Sequence, residues 1–170
     1  MKANNFKKIY ISKSPSQTRT IGSALAKKIL AIGGKNRRVF VLALRGDLGG
    51  GKTTFLQGFA RGLGIKERIV SPTFVILKKF KILNVEPKKN LKRQLESNFN
   101  FFYHLDCYRI KNAEEILDVG FRAITKEPDN IIAIEWADRI SEFIPSDALT
   151  INFYFVDRHK RKIKVYKSKA

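Results

Sequence analysis

Apolar residues recur in the first third of the chain with two different spacings. Between residues 21 and 32, isoleucine and leucine return every three or four positions, which predicts an amphipathic helix ended by the Gly33-Gly34 pair. Residues 39–44 are instead an unbroken apolar run, typical of a strand buried on both faces. Helical spacing resumes at residues 55–63, before Gly64. This part of the chain is therefore predicted to fold as helix, strand, loop and helix.

The rest of the chain is richer in strand-like segments. Strands are predicted at residues 74–77 (extending to 82), 99–105, 131–134, 149–156 and 162–166, the last two as a terminal hairpin. An acidic helix at 113–119, ended by Gly120, lies between them. These elements predict an α/β sandwich whose central sheet mixes parallel and antiparallel strands and is flanked by helices.

Length and composition favour one soluble domain. With 170 residues and 44% apolar composition, the chain suits a single domain spanning residues 1–170, with 83–98 as a polar surface loop or insertion. No apolar run has the length of a signal peptide or a membrane span. The single cysteine, Cys107, cannot form an internal disulfide. We therefore expect a cytoplasmic protein.

Charge is distributed unevenly along the chain. The formal net charge is +19, and residues 1–46 carry eleven Lys/Arg and no acid. Residues 94–157, in contrast, hold twelve of the fifteen acids and five basic residues. This predicts a molecule with one basic and one acidic side, and the basic side would attract polyanions. The alternative is that the lysines are ordinary solvated surface residues without a partner.

Residues 46–53 match the P-loop pattern G-x-x-x-x-G-K-[ST] and lie between the predicted buried strand and helix. Glycines in such a loop let consecutive backbone N–H groups surround phosphate oxygens at a helix N-terminus. Lys52 would reach the β- and γ-phosphates, and the Thr53 hydroxyl would face Mg²⁺. The pattern predicts a P-loop NTPase-like sandwich that binds a nucleoside triphosphate; the alternative is a glycine-rich turn followed by an ordinary lysine.

A later apolar segment ends in an acidic residue, as a Walker B strand does. Residues 131–134 are apolar and end in Glu135, followed by Trp136. Such a strand delivers a carboxylate beside Mg²⁺ at the carboxyl end of the sheet. Apolar runs ending in glutamate are common, but beside a P-loop Glu135 becomes the leading candidate for the acid on the metal side.

The strand at 99–105 also runs into polar residues, His104, Asp106 and Tyr108. Asp106 could order the attacking water or a Mg²⁺-bound water, since phosphoryl transfer depends mainly on positioning and charge neutralisation. If the strand continues, all three residues share one face. Alternatively, Asp106 caps the following turn and His104 is satisfied within the core.

The segment Ser71-Pro72-Thr73-Phe74 follows the P-loop helix, where switch I lies in many P-loop enzymes. The hydroxyls of Ser71 and Thr73 could sense the γ-phosphate or its Mg²⁺. From spacing alone, an ordinary turn is the better interpretation.

Together, the segments 46–55, 71–74, 104–109 and 135–139 resemble the TsaE (YjeE) family in content, order and approximate spacing. The resemblance covers most of the chain. It implies a P-loop ATPase that, with the TsaD and TsaB proteins, is needed for N6-threonylcarbamoyladenosine modification of tRNA. It further implies that ATP hydrolysis is slow in the isolated protein and resets the TsaD–TsaB complex. The protein would contact tRNA either indirectly, through these partners, or through a basic face.

The resemblance also assigns roles to residues of this chain. Lys52 and Asp106 would be required for hydrolysis, Thr53 and Glu135 would hold Mg²⁺, and Ser71 and Thr73 would form the switch. The ATP-binding set would be Leu48, Gly49, Gly50, Gly51, Lys52, Thr53, Thr54, Trp136 and Arg161. Arg161 represents a basic residue that the terminal hairpin brings toward ATP, with its register left open among Arg158, Lys160 and Lys162.

The chain departs from the family pattern at three places. Val75 stands where a further hydroxyl residue is usual, Cys107 replaces a leucine, and the 83–98 loop is longer and more basic than expected. Two rival functions also stay open. A small-molecule P-loop kinase would need an arginine-bearing lid, which the sequence lacks. An ATP-regulated RNA-binding module would need exposed aromatics, whereas Phe101, Phe102, Tyr154 and Phe155 are interpreted as packing residues.

Overall fold

The computed structural model describes residues 7–33, 39–71, 76–83 and 99–167. Its helices are α1 (Pro15–Gly33), α2 (Lys52–Gly62), α3 (Glu115–Asp118) and α4 (Phe121–Lys126), with a 3₁₀ segment at Ala137–Phe143. Its strands are β1 (Lys7–Ser12), β2 (Phe40–Arg45), β3 (Leu77–Lys81), β4 (Phe101–Asp106), β5 (Asn130–Glu135), β6 (Leu149–Phe155) and β7 (Arg161–Lys167).

The seven strands form one sheet in the order β1-β7-β6-β2-β5-β4-β3. The four central strands β6, β2, β5 and β4 are parallel to one another; β7 and β3 pair antiparallel with β6 and β4, and β1 pairs antiparallel with β7. The predicted mixed sheet is therefore confirmed. Parallel strands end at the same edge of a sheet, so the residues that follow β2, β4 and β5 lie side by side.

Two apolar layers enclose the middle of the sheet. On one face, α1 and α2 pack against side chains such as Leu42, Leu44 and Ile151. On the other face, the short helices and the 3₁₀ segment pack against Val41, Ala43 and their neighbours. β2 reads Phe-Val-Leu-Ala-Leu-Arg and is apolar on both faces because both are covered.

The P-loop helix α2 lies unusually close to α1. A Cβ atom on Gly58 would come within 1.9 Å of the Arg19 carbonyl oxygen, and one on Gly22 within 2.3 Å of the Phe55 carbonyl oxygen. Glycine is required at both positions because the obstacle is the backbone of the facing helix. This contact fixes the helix whose first residues are Lys52 and Thr53.

The structure differs from the sequence predictions at several elements. β1, α4 and the 3₁₀ segment were not predicted, and the acidic helix is only four residues long. The strand expected from residue 74 begins at Leu77; positions 72–75 and 84–98, including most of the expected 83–98 loop, lie outside the described residues. In the described ranges, no helix is long and apolar enough to cross a bilayer.

Candidate nucleotide site

The loop between β2 and α2 has the backbone that a phosphate cradle needs. Gly46, Gly49 and Gly51 have φ angles of 127°, 74° and 96°, a region that side chains with a Cβ seldom occupy. At Gly46 the space is closed as well, because a Cβ there would lie 2.3 Å from the Phe153 carbonyl oxygen. The loop therefore turns tightly and directs the N-terminus of α2 into a cleft.

Lys52, the first residue of α2, is buried at the centre of this cleft. Its Nζ donates hydrogen bonds to the carbonyl oxygens of Gly46 (2.6 Å) and Asp47 (2.9 Å), and it lies 3.7 Å from the centre of the Trp136 ring. Burial lowers the pKa of Lys52 below its ordinary value, and nearby carboxylates, Glu135 first, partly oppose that fall. The ammonium group is held by the loop's own carbonyls, which phosphate oxygens can replace.

Beside Lys52, the Thr53 hydroxyl meets the carboxylate at the end of β5. Thr53 Oγ1 lies 2.8 Å from Glu135 Oε2 and 3.1 Å from Oε1. His104, fully buried on the neighbouring strand β4, places its Nε2 2.9 Å from Glu135 Oε1. The carboxylate can only accept, so Nε2 carries the proton, and Nδ1 has no partner within the described residues. A hydroxyl, a carboxylate and an imidazole thus form one chain of contacts.

Asp106 ends β4 directly opposite Glu135, its neighbour in the parallel pair with β5. Its Oδ1 accepts the backbone N–H of Tyr108 at 3.0 Å, and its Oδ2 accepts a short hydrogen bond from the Ser71 hydroxyl. Asp106 therefore caps the following turn and also faces the cleft. Thr73, the second switch candidate, lies outside the described residues.

The expected alternation along β4 holds only in part. His104 and Asp106 share the face toward α2, but β4 ends at Asp106, so Tyr108 lies beyond the strand. Its ring packs against Trp136 with 5.0 Å between the centroids. Trp136 itself has φ 57° and ψ 42°, a left-handed conformation that costs about 1–3 kcal/mol in a residue with a side chain. This conformation turns the indole over Lys52.

Two cavities adjoin the P-loop on its opposite sides. The first, about 240 Å³, is lined by Leu48, Gly49, Gly50, Gly51, Lys52, Thr53, Thr54, Ser71, Asp106, Tyr108, Glu135 and Trp136. The second, about 320 Å³, is lined by Ser14, Pro15, Thr18, Gly49, Gly51, Thr54, Arg158, His159 and Arg161. The acidic site candidates surround the first cavity, and basic residues of the terminal hairpin surround the second.

Arg161 connects the terminal hairpin to the P-loop. Its Nε donates to the Gly49 carbonyl oxygen at 3.1 Å, and its Nη1 donates to the carbonyl oxygens of Asp157 (2.8 Å) and Lys160 (3.0 Å). Its guanidinium carbon lies 4.6 Å from the centre of the Phe155 ring. Of the four basic residues left open by the sequence, Arg158 and Arg161 line the second cavity, whereas Lys162 lies on the opposite face of the sheet.

The donor set suits Mg²⁺ bound together with phosphate. Among the described residues, no group of three or more His, Cys, Asp and Glu side chains could hold a metal ion by itself. Mg²⁺ usually takes only one or two carboxylates from a protein, with phosphate oxygens and waters completing its octahedron. The Thr53 hydroxyl and the Glu135 carboxylate, in contact at the mouth of the P-loop, are hard oxygen ligands of this kind.

Comparison with known proteins agrees with this geometry. The sequence model of the TsaE family, described as threonylcarbamoyl adenosine biosynthesis protein TsaE, matches residues 12–163. The chain belongs to the TsaE family. It is therefore a P-loop protein of that family, as the four motifs implied.

Individual relatives extend over most of the chain. The Borreliella burgdorferi protein named tRNA threonylcarbamoyladenosine biosynthesis protein TsaE is 38% identical over 112 residues, 66% of this chain and 69% of that protein. A Rickettsia prowazekii protein of the same name is 34% identical over 128 residues, 75% of this chain and 77% of that protein. The crystal structure of Bacillus subtilis YdiB superposes with a TM-score of 0.66 at 25% identity, covering 99% of this chain and 90% of that one.

Several residues around the site were not assigned from the sequence. Ser14 and Thr18 line the second cavity, and neither was assigned a role there from the sequence. The contact of His104 with Glu135 joins residues 31 positions apart, so no local motif reports it. Polar residues at the ends of adjacent strands were the available signal.

Proposed function

We propose that the protein is a Mg²⁺-dependent ATP hydrolase that acts in threonylcarbamoyladenosine modification of tRNA. The observation that carries this proposal is the convergence of Lys52, Thr53, Asp106 and Glu135 on one cavity at the P-loop. They come from three separate segments of the chain, the start of α2 and the ends of β4 and β5, and together they provide a cation, a hydroxyl and two carboxylates. This is the set that nucleotide hydrolysis requires.

In the proposed complex, the triphosphate lies on the backbone N–H groups of the P-loop and on the N-terminus of α2. Lys52 exchanges the carbonyl oxygens of Gly46 and Asp47 for phosphate oxygens. The nucleoside extends into the second cavity, past Thr54 and toward Arg161. Arg161, which the hairpin holds against the Gly49 carbonyl oxygen, would then contact ATP from this side.

Thr53 and Glu135 would hold Mg²⁺, which when bound neutralises charge on the β- and γ-phosphate oxygens. His104 keeps the Glu135 carboxylate turned toward Thr53 through its Nε2–H. Asp106 would position the attacking water, because it faces the same cavity and is itself held by two hydrogen bonds. Ser71 bonds directly to Asp106, so we propose that the 71–74 segment, with Thr73, senses the γ-phosphate through that contact.

The cellular role is proposed from family membership. The relatives are named as tRNA threonylcarbamoyladenosine biosynthesis proteins, and we propose that this chain serves the same modification in the cytoplasm. Its partners would be the TsaD and TsaB proteins, whose complex it would reset by hydrolysing ATP. The small-molecule kinase alternative is less favoured, because within the described residues the second cavity is bordered by the chain's own hairpin and by no additional lid.

Hydrolysis of ATP by the purified protein, with and without Mg²⁺, TsaD, TsaB and tRNA, tests the proposal. Stimulation by the TsaD–TsaB complex is expected, together with loss of activity in Lys52→Ala of about 100-fold or more. Lys66→Ala removes an exposed lysine away from the cleft and serves as the matched control. Equal activity in both variants would reject the P-loop chemistry, and an unchanged rate with the partners would reject the proposed role on TsaD–TsaB.

A further inference from the structure

One half of the sheet has a face that no other described part of the chain covers. The side chains of cross-strand partners point to the same side of a sheet. Three sets of partners, each with one residue from β1, one from β7 and one from β6, point to the side opposite α1 and α2. We call this surface the open face; its outward side chains are Lys7, Ile9, Ile11, Lys162, Lys164, Tyr166, Asn152, Tyr154 and, from β2, Arg45. Ile9, Ile11 and Tyr154 are 51%, 46% and 41% exposed.

The open face is basic and contains no acid. Its cations are Lys7, Arg45, Lys162 and Lys164, and β1, β6 and β7 together contain neither aspartate nor glutamate. A polyanion is therefore the complementary partner.

The cations alternate with flat and apolar side chains. The Lys162 Nζ lies 5.3 Å from the centre of the Tyr154 ring, and the Lys164 Nζ lies 5.7 Å from that of Tyr166. Asn152 Nδ2 donates to both tyrosine hydroxyls at 3.3 Å, which keeps the two rings beside one another. Duplex phosphates would need only the cations, whereas unpaired bases also use exposed rings and apolar surface.

We propose that the open face binds single-stranded RNA. The bases would stack on Tyr154 and Tyr166 and contact the isoleucines of β1, and the phosphates would follow Lys162 and Lys164. Tyr154 was interpreted from the sequence as a packing residue; the structure corrects this, because the residue is 41% exposed. The proposal goes beyond ATP hydrolysis and does not depend on it.

Fluorescence anisotropy with an unstructured RNA of about 12 nucleotides, in the absence of nucleotide, measures the interaction. Tyr154→Leu should weaken binding about tenfold by removing a stacking surface, and Tyr154→Phe should retain it. Both variants lose the hydroxyl that contacts Asn152, so their difference reports the ring alone. Thermal unfolding of each variant shows whether the fold is kept.

The salt dependence provides the second measurement. Replacing both Lys162 and Lys164 with glutamine should reduce the slope of log K against log salt by about 1.4, or about 0.7 per phosphate contact. The matched control replaces Lys27 and Lys28, two exposed lysines of α1 on the other side of the sheet. This control should leave the slope unchanged.

Three outcomes would overturn the proposal. If replacing Lys27 and Lys28 reduced the salt slope as much as replacing Lys162 and Lys164, RNA would be attracted by the net charge of the protein and not by the open face. If heparin or duplex RNA bound as tightly as the single-stranded RNA, and Tyr154→Leu did not change that binding, the open face would not contact the bases. Tighter binding of polyglutamate with the same sensitivity to Tyr154→Leu would assign the open face to an acidic protein partner. ATP hydrolysis is assayed separately, so its failure would not affect any of these results.

Discussion

Replacing Gly58 with alanine should push α1 and α2 apart and thereby weaken nucleotide binding. The new Cβ would lie 1.9 Å from the Arg19 carbonyl oxygen and 2.5 Å from the Arg19 Cα and carbonyl carbon. Real Cβ atoms are essentially never closer than 3.0 Å to such atoms, so α1 and α2 must separate by at least about 1.1 Å. Backbone atoms cannot rotate out of the way as a side chain can.

The expected loss of stability combines two opposing effects. Overpacking a well-filled site typically costs about 1–3 kcal/mol, and the upper end applies to Gly58 because the obstacle is a helix backbone. The higher helix propensity of alanine raises the free energy of unfolding by about 1 kcal/mol and so offsets part of this cost. The net loss should be about 2 kcal/mol, which in a chain of 170 residues lowers Tm by about 4–8 °C.

The same shift reaches the nucleotide site, because Lys52 and Thr53 begin the displaced helix. A misplacement of about 1 Å in a positioned group can reduce a rate by about 100-fold. Gly58→Ala should therefore weaken ATP binding and hydrolysis at temperatures where the variant is still folded. Thermal unfolding followed by circular dichroism and a nucleotide-binding titration at 15 °C below Tm, about two to four times the expected shift, measure the two effects.

Ala24→Gly is the matched control, because Ala24 lies on the exposed side of α1. It changes helix propensity by about 1 kcal/mol without altering the interface between the helices, and it should leave nucleotide affinity unchanged. A Tm for Gly58→Ala at or above that of the wild type, with normal ATP binding, would refute the close approach of α1 to α2.

Other perturbations test the cleft and the core beside it. His104→Leu should raise the Mg²⁺ concentration needed for half-maximal hydrolysis about 10–100-fold by releasing Glu135, and His104→Gln, which keeps a donor, should restore most of the loss. Phosphate favours the charged form of Lys52, whose pKa burial lowers; nucleotide binding should therefore take up protons at alkaline pH and weaken as the pH rises, as measured by calorimetry in buffers of different ionisation enthalpy. Burial raises the pKa of the Cys107 thiol to about 12, so the native protein should react with a thiol reagent far more slowly than the unfolded chain.

Local sequence signals predicted the centre of the fold well. The apolar run of β2, the glycines of the P-loop and the helical spacing of α2 are continuous in sequence, so each element could be recognised without knowing its neighbours. The strand ends at Asp106 and Glu135 were also recognisable. Their adjacency follows from the parallel pairing of β4 with β5, which sequence order alone does not give.

The elements that escaped prediction depend on distant partners. β1 reads Lys-Lys-Ile-Tyr-Ile-Ser and becomes a strand because it pairs with β7, joining Lys7 to Tyr166 across nearly the whole chain. The second cavity likewise combines Ser14 with the hairpin residue Arg158. Phe155 was interpreted as a packing residue, but it is 61% exposed because it lies near the tip of the hairpin. Such features appear only when the topology is known.

The expected division into a basic and an acidic side is correct for one edge of the sheet only. β1 and β7 form a basic edge, and Asp106 and Glu135 end the strands beyond β2, but β3 adds lysines at positions 78, 79 and 81 at the far edge. Asp106 and Glu135 therefore form an acidic pair beside the P-loop. Under the proposed function this pair sets the orientation of the nucleotide. The acidic cavity would repel a terminal phosphate unless a divalent cation lies between them, whereas the basic hairpin accepts the nucleoside end without one.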